Sequence, residues 1–122
     1  MRYAPLPQTL PREARIAYSY RDVAFEPGDV VLLLVRALNR DPAVVERPDV
    51  FDIARASLPR HMSFGFGTHH CSGVHLARME MQIALETLAR RIDHWELIEQ
   101  PEHLSVTRAS APVSLRVKMR RH

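Results

Sequence analysis

The stretch Phe64-Gly65-Phe66-Gly67-Thr68-His69-His70-Cys71-Ser72-Gly73 runs directly into Val74-His75-Leu76-Ala77-Arg78, where a helical pattern begins. It places the only cysteine of the chain at the end of a glycine-containing loop and at the start of a predicted helix. The unpaired N–H groups and partial positive charge of a helix N-terminus favour a thiolate over a thiol. Gly65 and Gly67 can adopt left-handed backbone angles, and Gly73 lets a flat group approach the backbone. The sequence therefore predicts a thiolate in a loop that lies against a flat ligand.

Such a loop meets the requirements for thiolate ligation of haem iron, but two other interpretations are open. A lone cysteine is commonly a small buried hydrophobic residue without chemistry. The second alternative is a zinc site, whose candidate ligands are His69, His70, Cys71 and His75. Structural zinc sites usually draw on paired ligands such as Cys-x-x-Cys, and the chain has no second cysteine, which counts against zinc.

The stretch matches, in order, the pattern Phe-Gly-x-Gly-x-His-x-Cys-x-Gly. It closely resembles the haem-binding loop, here residues 64–73, of the cytochrome P450 family of haem-thiolate monooxygenases. The resemblance implies that Cys71 is the axial ligand of the iron in haem b, and that His69 binds a haem propionate. It also implies that Phe64 lies beside the thiolate. The glycines of the motif, where the backbone approaches the haem, are Gly65, Gly67 and Gly73.

Other segments extend the resemblance from Arg2 almost to the C-terminus. Arg2-Tyr3-Ala4-Pro5 matches the end of the family's Glu-x-x-Arg motif, whose glutamate would precede Met1. Arg12 falls where the family places an arginine for a haem propionate, and a guanidinium can donate two parallel bonds to a carboxylate. From spacing alone, a solvated surface arginine is the alternative. Residues 48–55 match a further family stretch, in which Arg55 is expected to pair with a carboxylate or with backbone carbonyls.

Composition and charge limit the other classes of function. The 122 residues are 46% hydrophobic and 25% charged, which is typical of one soluble globular domain. A single cysteine excludes an internal disulfide framework and favours a reducing cytoplasm. No stretch approaches the roughly 20 apolar residues of a membrane span, and no signal peptide is expected. The net charge of +3 is spread along the chain, so a nucleic-acid partner is not expected.

Sequence patterns predict a fold that is mainly α with small β elements, an α+β fragment of the P450 fold. Leu76, Met79 and Ile83 recur at helical spacing, so the long helix is expected to bury an apolar face. The predicted elements are a buried strand over 29–35, a helix over about 72–91, a short strand over 93–98, and a terminal hairpin of 104–107 with 113–117.

The resemblance covers nearly all of residues 1–122, but only the C-terminal third of a complete family member. It implies a monooxygenase that inserts one oxygen atom of O2 into a small organic substrate. Electrons would come from a separate donor of the ferredoxin or flavoprotein type, since no glycine-rich dinucleotide motif is present. Arg78 is either a docking residue for that donor or a solvated surface charge.

The family's oxygen-activating helix has no counterpart here, so the isolated chain is expected to be inactive. The alternative functions are a non-catalytic haem-binding remnant and a small zinc-binding or structural domain.

Overall fold

The computed structural model describes residues 1–56, 60–106 and 109–121. The chain divides into two compact units, the first comprising residues 1–63 and 106–110 and the second residues 64–105 and 111–122. The described elements are strands β1 Thr9–Glu13, β2 Tyr18–Tyr20, β3 Val23–Phe25 and β4 Val30–Leu34, helix α1 Val35–Leu38, a 3₁₀ helix Gly67–His69, helix α2 Val74–Arg91, and strands β5 Ile92–Leu97, β6 His103–Val106, β7 Ala109–Pro112 and β8 Val117–Arg121.

The first unit is built on the antiparallel pair of β1 and β4, in which residues 9–13 lie opposite residues 34–30. Side chains alternate across a strand, so Val30, Leu32 and Leu34 share one face, and each is more than half exposed. The predicted strand is therefore present, but its predicted burial is wrong. A single neighbouring strand supplies backbone partners along one edge of β4 and leaves that face uncovered. The last residue of the apolar run, Val35, instead begins α1 and is fully buried.

The first unit also contains the hairpin of β2 and β3. Tyr18 lies opposite Phe25 in this hairpin, with ring centroids 4.7 Å apart in a stacked arrangement. A turn at Gly28 then connects β3 to β4. Gly28 has a φ of 95°, which is readily open only to glycine, and its N–H donates to Ala14 O at 2.9 Å. This turn therefore anchors the start of β4 against the end of β1.

The second unit contains the long helix, which begins two residues later than predicted and ends at the predicted Arg91. Val74 is its one buried residue among those described, whereas Leu76, Met79 and Ile83 are each more than half exposed. The expectation of a buried apolar face is therefore wrong. The described part of this unit holds no second α-helix that could cover the apolar face of α2.

Strand β5 follows α2 immediately, which confirms the predicted strand near 93–98. It pairs antiparallel with β8, where Trp95 lies opposite Met119 and Leu97 opposite Val117. The guanidinium of Arg120 donates to the Asp93 carboxylate at 2.6 Å. The basic residues Lys118, Arg120 and Arg121 of β8 are therefore part of a sheet.

The predicted terminal hairpin is only half correct. Its first strand corresponds to β6, although Thr107 lies outside the described residues. The strand that pairs with β6 is β7, Ala109–Pro112, and not the predicted 113–117. Residues 113–116 form no described strand. Alternation of apolar and polar residues marks strand character but does not specify the partner.

The α+β character of the prediction is confirmed, but helix is not the dominant structure. Helix α1 has 4 residues and α2 has 18, and the eight described strands together hold more residues than these two helices. Neither described helix combines the length and the apolar character that crossing a membrane requires.

Candidate functional site

The Cys71 loop, residues 64–73, is shaped by two glycines with left-handed backbone angles. Gly65 has a φ of 69° and Gly67 a φ of 65°. Any side chain at either position would be strained. The 3₁₀ helix that begins at Gly67 is closed by His70 N–H, which donates to Gly67 O at 3.0 Å. These angles confirm the backbone conformation that the glycine spacing predicts.

Backbone bonds hold Cys71 on both of its sides. Cys71 N–H donates to Phe64 O at 2.9 Å and thereby closes the loop on itself. Cys71 O accepts from Val74 N–H at 3.3 Å, and Val74 is the buried first residue of α2. The residue is nevertheless exposed, and its thiol is free. The interpretation of Cys71 as a buried residue is therefore wrong.

Gly73 provides space beside the sulfur. Its φ of −84° is open to any residue, so the backbone does not require glycine there. A Cβ at this position would lie 3.9 Å from Cys71 Sγ, in van der Waals contact with it. A Cβ at Gly67, by contrast, would meet no heavy atom within 4 Å. The loop thus leaves room for a ligand next to the thiol.

The two predicted propionate-binding residues belong to different units. His69 is the exposed last residue of the 3₁₀ helix, two residues before Cys71. Arg12 is half-buried in β1 of the first unit, where its Nη1 donates to Pro11 O at 2.8 Å. His69 is thus close to Cys71 in the sequence, whereas Arg12 belongs to the other unit. The roles of both residues stay predictions.

A contact that sequence reasoning missed connects the loop to α2. The guanidinium carbon of Arg78 lies 5.7 Å from the centroid of the Phe64 ring, within the range of a cation–π interaction. Arg78 sits near the start of α2, and a helix that begins directly after a loop returns its early side chains toward that loop. This spacing is the one signal in the sequence that points to the contact.

The zinc interpretation does not hold for the part of the chain that the structure describes. There, no three His, Cys, Asp or Glu side chains lie close enough together to hold a metal ion. The candidate zinc ligands, all exposed at the surface, are His69, His70, Cys71 and His75.

The arginines of the family-like segments in the first unit are held largely by backbone carbonyls. Arg2 is buried, and its Nη1 donates to Asn39 O at 2.8 Å and to Pro48 O at 3.0 Å. Arg55 confirms the expectation of carbonyl partners, since it donates to the carbonyls of Glu46, Arg47 and Val50. These bonds fix the fold around the N-terminal segment.

Comparison with known proteins decides the family. Residues 1–115 match the cytochrome P450 family. The chain belongs to this family. Among curated P450s, it is 42% identical over 99 residues to the biotin biosynthesis cytochrome P450 of Bacillus subtilis strain 168, which covers 81% of this chain and 25% of that relative. It is also 42% identical over 94 residues to the beta-dihydromenaquinone-9 omega-hydroxylase of Mycobacterium tuberculosis strain H37Rv, covering 77% and 19%.

Solved P450 structures share the fold over almost the whole chain. The structure of P450BioI in complex with a hexadec-9Z-enoic acid ligated acyl carrier protein superposes with a TM-score of 0.91 at 38% identity. That match covers 98% of this chain and 31% of the other. P450 OxyD, which is involved in the biosynthesis of vancomycin-type antibiotics, gives a TM-score of 0.92 at 30% identity, covering 99% and 31%. The chain spans about a quarter of the length of the curated relatives that it matches.

P450s bind haem b, and the residues of the Cys71 loop fit that group. The loop supplies one soft sulfur donor on an exposed side chain, which is the ligand type that haem-thiolate iron takes. Gly73 leaves the space beside this sulfur free of a side chain, and Gly67 has no heavy atom near its missing Cβ. A flat macrocycle therefore has both a ligand and room at this loop.

Proposed function

We propose that this chain forms the haem-thiolate part of a P450 monooxygenase, with Cys71 Sγ as the axial ligand of the iron. The position of Cys71 carries the proposal. Its backbone is held between the bond to Phe64 O and the first turn of α2, while the side chain stays exposed and forms no disulfide. An anchored backbone with an accessible thiol provides a ligand at a defined place.

Different residues around Cys71 are proposed to hold different parts of the cofactor. The N-terminus of α2 directs unpaired N–H groups toward the preceding loop. Gly65, Gly67 and Gly73 keep the loop backbone close to a flat ligand, and Phe64 is assigned to the position beside the sulfur. We assign His69 and Arg12 to the haem propionates, since both side chains can donate to carboxylates.

The proposed reaction of the complete protein is monooxygenation of a small organic substrate. When bound, haem supplies O2 activation, in which one oxygen atom enters the substrate and the other leaves as water. The contribution of residues 1–122 is the iron ligand, the loop that positions it and the contacts to the propionates. A cytoplasmic location stays a prediction that rests on the single cysteine.

The carbon-monoxide difference spectrum of the reduced haem protein tests this proposal. The most informative sample is a chimera in which residues 1–115 replace the matching segment of the Bacillus subtilis biotin biosynthesis P450. We expect the thiolate-type Soret band for this chimera and, at lower occupancy, for the 122-residue chain titrated with haem. A chimera that binds haem stoichiometrically but shows only an imidazole-type band would overturn the assignment of Cys71.

A separate electron donor is proposed to dock near Arg78. This residue is exposed close to the loop and contacts the Phe64 ring, so its positive charge lies close to the proposed iron ligand. Acidic redox partners are attracted to such charges, and charges at the rim of an interface act mainly on association rates.

Arg78→Glu in the chimera is expected to slow haem reduction by an acidic ferredoxin about tenfold at low salt. Raising the ionic strength should shrink the difference, because salt screens exposed charges. Stopped-flow reduction kinetics measure both effects. Arg90→Glu is the matched control, since it makes the same charge change in the last turn of α2, about 18 Å away along the helix. Equal slowing by both variants would contradict docking near Arg78.

A further inference from the structure

The side chain of Asn39 is buried and makes three hydrogen bonds. Asn39 is only 3% exposed. Its Nδ2 donates to Ser63 Oγ at 2.9 Å and to Arg2 O at 3.3 Å, and its Oδ1 accepts from Met62 N–H at 2.7 Å. A backbone N–H can only donate and a carbonyl can only accept, so these partners fix the orientation of the amide.

These bonds converge on the start of the Cys71 loop. Met62 and Ser63 are the two residues immediately before Phe64, at which the loop begins. Ser63 Oγ also donates to Met1 O at 3.1 Å, so residues 62–63 are tied both to Asn39 and to the N-terminal segment. The other end of the loop is held separately, by the bond from Val74 N–H to Cys71 O.

We propose that Asn39 is a positioning residue for Cys71: it holds residues 62–63, from which the Cys71 loop starts. The inference rests on the proposed function, because the position of the sulfur matters through the iron that it binds. An amide suits this task better than a carboxylate. Aspartate would face Arg2 O with a second acceptor and would place a charge where only 3% of the residue is exposed.

The backbone of Asn39 is itself held in place. It is the C-terminal capping residue of α1, and its own carbonyl accepts from Arg2 Nη1 at 2.8 Å. Its backbone is thus fixed by a helix end and by a buried arginine before its side chain reaches residues 62–63. The amide therefore holds residues 62–63, which directly precede the loop, in place within the first unit.

Amide hydrogen exchange of the haem-free 122-residue chain, resolved by residue, tests the inference without any cofactor. In Asn39→Asp and Asn39→Ala, we expect Met62 N–H to exchange at least about tenfold faster, as for one lost buried hydrogen bond. The decisive amide is Cys71 N–H, bonded to Phe64 O, which should accelerate as well. Gln8→Ala is the matched control, because Gln8 Nε2 donates to Pro5 O within the same unit, three residues away in the sequence.

The exchange data discriminate a positioning role from a general loss of stability. In the Asn39 variants, the β1–β4 amides at Leu10 and Leu33 should keep their protection while Cys71 N–H loses it. Acceleration confined to Met62, or spread equally over β1, β4 and the loop, would overturn the inference. Absence of protection at Cys71 in the wild-type chain would overturn it as well.

A second measurement uses the haem-loaded chain and separates this inference from the proposed function. At equal haem occupancy, we expect a smaller fraction of the thiolate-type carbon-monoxide band in Asn39→Asp than in wild type and in Gln8→Ala. An equal fraction in all three would overturn the role of Asn39 and leave the proposed function standing. A wild-type chain that binds haem without any thiolate-type band would overturn both.

Discussion

Cys71→Ser is expected to abolish the thiolate-type carbon-monoxide spectrum of the chimera and to lower its turnover more than about 100-fold. Serine is close to cysteine in size, and the backbone bonds of residue 71 to Phe64 and Val74 do not involve the side chain. The fold should therefore persist. A serine hydroxyl stays protonated and is a hard oxygen donor, so it replaces the thiolate poorly on haem iron. Substitution of residues that only contact metal ligands already lowers metal affinity or activity roughly 10–100-fold.

The controls for this experiment lie in the same loop. Ser72→Ala changes an exposed neighbour of Cys71 and should leave the spectrum unchanged. His70→Ala removes the nearest imidazole and should also retain the thiolate-type band. The assignment of Cys71 is contradicted if Cys71→Ser keeps that band, or if His70→Ala loses it. Circular dichroism melts of all three variants show whether each remains folded.

Local features of the Cys71 loop could be predicted from the sequence because short-range sterics determine them. Gly65 and Gly67 take the left-handed angles that their spacing indicates, and α2 begins within two residues of the prediction. The start of β4 at Val30 was likewise predictable, because an apolar run follows a Pro-Gly turn. Each of these features depends on residues that are neighbours in the sequence.

Burial could not be predicted in the same way. Periodicity identifies the apolar side of α2 and β4, but it does not show what covers that side. Leu32 and Ile83 were expected inside and are more than half exposed in this chain. The strand partner of β6 was likewise misassigned, since alternation is the same for every possible partner.

The hydrogen bonds of Asn39 could not be predicted because they join distant parts of the sequence. The amide reaches Met62 across 23 positions and Arg2 across 37. No periodic pattern in a sequence indicates contacts over such separations. The sequence also does not distinguish a buried asparagine from an exposed one. The assignments of His69 and Arg12 depend on the family resemblance, and they stay predictions.

The 122-residue polypeptide by itself is expected to hold haem weakly, to self-associate and to form no product with any electron donor. Apolar side chains stand exposed on both units, with Leu32 at 53% and Ile83 at 58%. Exposed apolar side chains that share one face, as Val30, Leu32 and Leu34 do on β4, promote association. Two guanidinium nitrogens, Arg40 Nη1 and Arg55 Nε, are also buried without a hydrogen-bond partner among the described residues. An unpaired buried donor costs about 1–3 kcal/mol, so the isolated fold should be only marginally stable.

The chimera is expected to differ from the isolated chain. Its additional segments, which make up about three quarters of the Bacillus subtilis relative, can cover the faces of β4 and α2. We expect it to be monomeric in light scattering and to retain haem through gel filtration, unlike the 122-residue chain. In that chain, Leu32→Lys and Ile83→Lys should reduce association without restoring turnover. Monooxygenation needs a water-excluding pocket around oxygen and substrate, and a more polar surface does not create one. Product formed by the isolated chain above a free-haem control, with donor and O2 supplied, would contradict this prediction.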